Sequence, residues 1–131
     1  MIKMVVQVWK KEGMTDEEFR LRWLNEHGDL VRKHAKAMGF VRYIQSHKII
    51  SPEIQSFSES RGWRTPPDGL SELWWKDYES MRHAVNSPEG IEASRILSID
   101  EAEFVDMSNV SAFLSVEKVI FDHSQSIMEN K

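Results

Sequence analysis

The feature that most restricts this chain is a segment of period two followed, after a short turn, by one long amphipathic helix. Residues 2–9 put Met4, Val6 and Val8 on one side and Val5, Gln7 and Trp9 on the other, the pattern of a strand with two unlike faces. A polar turn with Gly13 comes next. Thr15 then stands three residues before Glu18, a capping box that satisfies the first free amides of a helix. Wound at about 100° per residue, residues 16–38 gather Phe19, Trp23, Leu24, His27, Val31 and Met38 into an arc of about 160°. Arg22, Glu26, Asp29, Arg32 and Lys36 fall opposite. Gly39 is placed as the carboxy-terminal stop and Gly28 as a weak point midway. His27 and His34 are anomalies, because they lie within the apolar arc.

The rest of the chain supplies further elements. A second strand is expected at about residues 40–50, with Val41, Tyr43, Gln45, His47 and Ile49 sharing a face. Residues 51–69 hold four serines and three of the four prolines with little periodicity, which predicts a long loop carrying Trp63. Asp68-Gly69 marks a turn into a third strand over residues 70–76, with Glu72 and Trp74 on one face and Leu73 and Trp75 on the other. Asp77 caps a helix over about 78–85, and Ser87-Pro88 opens another to about Ile99. Residues 103–106 and 112–121 read as the last strands, and the tail 122–131 as frayed.

Composition narrows the class. A chain of 131 residues with 40% hydrophobic and 10% aromatic side chains fits one domain spanning residues 1–131. Its 21 acidic and 17 basic side chains leave a net charge of −4, which speaks against a nucleic-acid partner. There is no cysteine, and hence no disulfide or thiolate site. No signal peptide and no long apolar window is visible, so a cytoplasmic location and no membrane association are expected.

The order strand, helix, strand, strand, helix, strand is the split βαβ arrangement: an α+β, ferredoxin-like fold with one antiparallel sheet and both helices on one face. The other face would then carry Gln7, Trp9, Glu72 and Trp74, with Tyr43, Gln45 and His47 as further candidates. Side chains so large and partly polar suit neither open water nor a dry core. Two copies packed sheet to sheet would bury them around a small-molecule cavity, so a homodimer is expected.

Gly13-Met14-Thr15, Glu18-Phe19, Trp23 and His27 together resemble the opening motif of the EthD family. Tyr43, Gln45 and His47 are similar to its second strand, and Asp68-Gly69 with Glu72-Leu73-Trp74 to its third. The resemblance runs from residue 2 to about 121. It implies a dimeric α+β barrel and cofactor-free chemistry on small hydrophobic or aromatic-derived cyclic compounds, by dehydratases or decarboxylases. A related branch rearranges muconolactones by proton transfer. On that resemblance His27, Tyr43 and His47 are the catalytic candidates.

Each candidate also has a plainer use. His27 can move a proton near neutral pH, or be a buried histidine bonded to a carbonyl. His34 matches no motif and reads as structural. Tyr43 can donate to an oxygen that gains charge, or fill the core. Glu72 can be a desolvated base between Trp9 and Trp74, or half of a cross-strand ion pair. Gln7, Trp9, Gln45, Trp63, Glu72 and Trp74 are the candidate substrate contacts. His27, His47 and Glu72 have the composition of an iron or manganese site but lack tight ligand spacing, so neither a metal nor another cofactor is expected. A lyase or isomerase is the leading expectation; a cofactor-free monooxygenase acting on a phenol, or a non-catalytic binding protein, are the alternatives.

Overall fold

A computed structural model describes residues 1–129. The elements are β1 (Ile2–Val8), α1 (Asp16–Leu21), a π-helical stretch (Arg22–His27), α2 (Gly28–Met38), β2 (Arg42–His47), α3 (Pro52–Ser60), β3 (Gly69–Trp75), α4 (Tyr78–Asn86), α5 (Pro88–Glu101), β4 (Ser111–Ser115) and α6 (Ser124–Glu129). The strands form one antiparallel sheet in the order β2-β3-β1-β4. The chain therefore has the α+β, ferredoxin-like architecture that its element order implies.

The start and stop signals act as their chemistry predicts. Thr15 and Glu18 close a reciprocal capping box, Asp77 accepts from Ser80 N–H, and Ser87 accepts from Gly90 N–H with Pro88 behind it. Gly39 ends α2 at φ 77°, and a Cβ there would lie 2.6 Å from that of Ala84. Glycine alone satisfies both the backbone and the space.

The first long helix is continuous through Gly28, and its irregularity lies just before it. Phe19, Trp23, His27 and Val31 are all buried and stand four residues apart. In a regular α-helix that spacing drifts by about 40° per step. The π turn, in which Gly28 N–H reaches back to Trp23 C=O, takes up the drift and holds the four on one face. Leu24, expected in the apolar arc, is left 45% exposed.

Two apolar groups fill the space between sheet and helices. Val8, Phe19, Trp23, Phe104 and Val105 close one end. Val31, Met38, Ala93 and Leu97 hold α2 against α5 at the other. Trp75 is 1% exposed and donates its indole N–H to Met38 C=O at 2.9 Å. Burying a large apolar side chain contributes roughly 1.5–3 kcal/mol. These few residues thus carry much of the packing energy.

Three expectations are corrected. Residues 51–69 are not all loop: Ser51 caps α3, with Pro52 in its first turn. No residue of α3 is buried, so no apolar period announces it. Residues 103–106 form no strand but a single bridge, Lys10 with Val105, and Phe104 and Val105 plug the core. The last strand stops at Ser115, which pairs with Lys3, because β1 offers little beyond that point to pair with. In the tail expected to fray, Asp122 accepts from Ser124 N–H ahead of α6; residues 130–131 lie outside the described residues. Among the described residues no helix is long and apolar enough to cross a membrane.

Candidate functional site

A cavity of about 450 Å³ lies between the sheet and the helices of one protomer. Strand register decides what faces it. Val6 pairs with Ser71 and Met4 with Leu73, while Tyr43 pairs with Leu73 from the other side, so these side chains share the helix-facing surface. Val6, Leu73, Phe40 and Trp75 form apolar walls, and His27, Tyr43, Ser71 and Glu101 bring polar groups. The helix-borne imidazole of His27 meets this space on its own side of the sheet, not the helix-free face on which a two-copy cavity was expected.

The π stretch and the end of α5 build the polar end. His27 is 4% exposed, and its Nδ1 lies 2.8 Å from Asp100 Oδ2. Arg22, also on the π stretch, grips Asp100 with two bonds of 3.1 and 2.5 Å. Burial pushes the Asp100 carboxyl up, but hydrogen bonds from Arg22 and His27 outweigh it and hold the group below its usual range. An ionised Asp100 accepts from Nδ1–H, which leaves Nε2 with a lone pair. Burial also pushes His27 down, against the hydrogen bond and charge of Asp100, so the imidazole is kept neutral near neutral pH.

Glu101 stands on the other side of the ring, its Oε1 3.9 Å from His27 Nε2. Burial, with the Asp100 charge adding to it, raises its carboxyl to about 7. Burial likewise raises the Tyr43 phenol, whose partners are Ser71, Gln45 and Trp23. A neutral imidazole, a carboxyl raised to about 7 and the hydroxyls of Tyr43 and Ser71 thus border a mostly apolar space.

The remaining candidates divide. Gln45 shares the helix-facing surface but points away from the cavity: its amide donates to Trp23 C=O at 3.0 Å and to Tyr43 Oη at 3.4 Å. Its Oε1 lies 2.8 Å from His47 Nε2. His47 packs at a tilt against Trp23, 4.4 Å between ring centroids, and lines an outer groove, so Trp23 separates it from the cavity. Gly69 lets the Trp23 ring approach the start of β3, since a Cβ there would lie 2.6 Å from that ring.

Four residues expected at the ligand stand apart from this cavity, and Trp9 does not line it either. Gln7, Glu72 and Trp74 lie on the helix-free face, as the alternation of β1 and β3 requires. Glu72 is engaged by Lys3, the ion-pair alternative, rather than desolvated between indoles. Trp9 follows β1, and its carbonyl accepts from Asp106 N–H. Trp63 packs edge-on against Phe57 of α3 and is 58% exposed on the outer groove. With Glu72 on the opposite face from His27, the suggested two-histidine, one-carboxylate set does not assemble. Among the described residues no group of three or more histidines or acids is placed to hold a metal ion.

Sequence reasoning missed Arg22, Asp100 and Glu101. One signal was available: two adjacent acids end α5, where the helix dipole favours cations. Acids in that position call for a partner elsewhere in the fold.

The antiparallel sheet with its helices packed on one face, and the cavity between them, define a ferredoxin-like α+β domain. The EthD domain model matches residues 11–108, and the chain belongs to that family. No curated protein sequence matches it. Among solved structures, an ethyl tert-butyl ether d (EthD) family protein from Bacillus halodurans is similar at 17% identity and TM-score 0.58, covering 90% of this chain and 100% of that one. A dimeric protein of unknown function and ferredoxin-like fold from Bacteroides fragilis is 10% identical with TM-score 0.55, covering 88% and 95%. SnoaB, a cofactor-independent oxygenase from Streptomyces nogalater, is 12% identical with TM-score 0.50, covering 92% and 97%.

Proposed function

We propose that this protein is a cofactor-independent lyase or isomerase that moves a proton on a small hydrophobic ring compound held in the cavity between its sheet and helices. One observation carries the reading: His27 is buried at the cavity with Nδ1 held by Asp100 and Nε2 left to act as a base. A neutral imidazole fixed in one tautomer by a carboxylate is suited to take a proton from carbon or hydroxyl. Tyr43 is the donor for the oxygen that gains charge, and Ser71 beside it is a second hydroxyl at the same wall. His47 acts, in this reading, only through Gln45 as a support for Tyr43. The test is turnover of a ring substrate by the wild type and by His27→Ala. A loss of at least about tenfold, equivalent to 1.4 kcal/mol, is expected, and full activity in the variant refutes the assignment.

The fold likeness to an oxygenase makes oxygen uptake the discriminating measurement. Consumption of dioxygen during turnover supports oxygenation of a phenol; turnover without it supports proton transfer. Tight binding with no conversion would make the chain a carrier of a hydrophobic metabolite.

We also infer a homodimer joined by the helix-free face of the sheet. Dimeric relatives of the same fold support it, as do Phe113, 55% exposed on β4, and the apolar segment Val119, Ile120 and Phe121 beyond it. Light scattering should give twice the 15.3 kDa of the chain.

A further inference from the structure

The charge around the cavity is one-sided. Among the described residues lining it there is no lysine or arginine, while Glu101 contributes a carboxyl. Arg22 reaches the same end of the helix pair, but its guanidinium is taken up by Asp100 and by Glu26 at 3.2 Å. A ligand anion would therefore find no free cation, and would pay the cost of desolvation without one. A neutral hydroxyl or carbonyl would find His27, Tyr43, Glu101 and the hydroxyls of Ser71, Ser94 and Ser98 able to bond it.

We propose that Glu101 selects the substrate: with its proton it donates to the oxygen of a neutral, hydroxyl- or carbonyl-bearing ring compound, and without it its charge excludes the corresponding carboxylates. The proposal rests on the reading of the cavity as a ring-compound site and gives that site its chemical class. It favours dehydration or isomerisation over decarboxylation, because a decarboxylase must admit the carboxylate that it removes.

The groups facing Glu101 are known from each element around it. His27 lies on the π stretch, and Tyr43 on β2 is close enough to feel the Glu101 charge. Asp100 adjoins it in the chain with Arg22 behind, and Glu103 in turn acts on Arg22. From the β1–α1 turn, Lys11 bonds the carbonyl of Ala102. Of these, only Asp100 is a fixed charge that acts directly on the Glu101 carboxyl, and it favours the proton-bearing form that donates.

The test uses two probes of one shape, 2-naphthol and 2-naphthoate, titrated calorimetrically into the full chain and into Glu101→Gln. In the wild type at about pH 8, naphthol should bind at least about tenfold more tightly than naphthoate, and the gap should narrow several-fold by about pH 6 as Glu101 gains its proton. In Glu101→Gln the gap should be narrow at both pH values. Naphthoate binding as well as naphthol at about pH 8, or a gap untouched by the substitution, overturns the proposal. The pH dependence of the wild type decides the matter even if the variant fails to fold, since a gap that does not change with pH is equally fatal. Failure of both probes to bind instead sinks the ring-compound reading of the cavity.

Discussion

Trp74 and Trp75 are neighbours in β3, so strand alternation sends them to opposite faces of one sheet. Trp75 is closed in by its own chain, with its indole N–H bonded to Met38 and its ring edge-on against Phe40. Trp74 is nearly as buried at 6% exposure, yet it lies between the cations of Lys3 and Arg42, and its indole N–H has no acceptor among the described residues. The inner face is finished within the protomer. The outer face covers its indole with charged side chains and leaves the N–H buried without an acceptor, where the inner face bonds its own.

The sharpest way to break this contrast is to truncate each indole. Trp75→Ala should cost about 3–5 kcal/mol in urea unfolding at any protein concentration. Trp74→Ala should cost less, because charged side chains rather than packed rings cover it and its N–H has no bond to lose. Equal losses would erase the distinction between the faces.

A smaller effect compares the two ion pairs. Asp100→Ala leaves Arg22 with Glu26 alone and removes the partner of His27, and should lower stability by about 2–3 kcal/mol. Glu72→Gln on the outer face leaves Lys3 with Glu117 and should cost about 1 kcal/mol. A reversed order would mean that the inner network is not the structural one.

The smallest effect is in pH dependence. Glu101 has a raised carboxyl in the folded chain, so the folded form binds its proton more tightly, and the stability this gives fades as pH rises from 4.5 to about 7. His27 is shifted down, so its contribution is present above 6.5 and fades as pH falls. The two oppose each other in the wild type. In Glu101→Gln only the histidine limb remains, and melting temperature should rise across the same interval; a flat or falling profile in that variant would show that His27 is not held neutral.

Much of this was legible in the sequence because it depends on local chemistry. Thr15 with Glu18, Asp77, Ser87-Pro88 and Gly39 set the helix ends through bonds made within a few residues. Placing His27 on the buried side of its helix needed only the apolar stripe. The missed α3 has the opposite character: with no buried face, its Ser51-Pro52 start was read as part of a serine- and proline-rich loop. The four-residue spacing of Phe19, Trp23, His27 and Val31 was a readable sign of the π turn, hidden by the assumption of a regular period.

What the sequence determined by itself is the succession of strands and helices and the alternation of side chains along each, since both follow from hydrogen bonding and periodicity over short distances. Which face of β2 meets the helices, and that Asp100 reaches His27 across 73 positions of chain, were decided only by the tertiary structure. Register between strands and the docking of α5 on the π stretch are set by packing between distant segments, and no local pattern encodes the partner of a side chain that finds it only when the layers close.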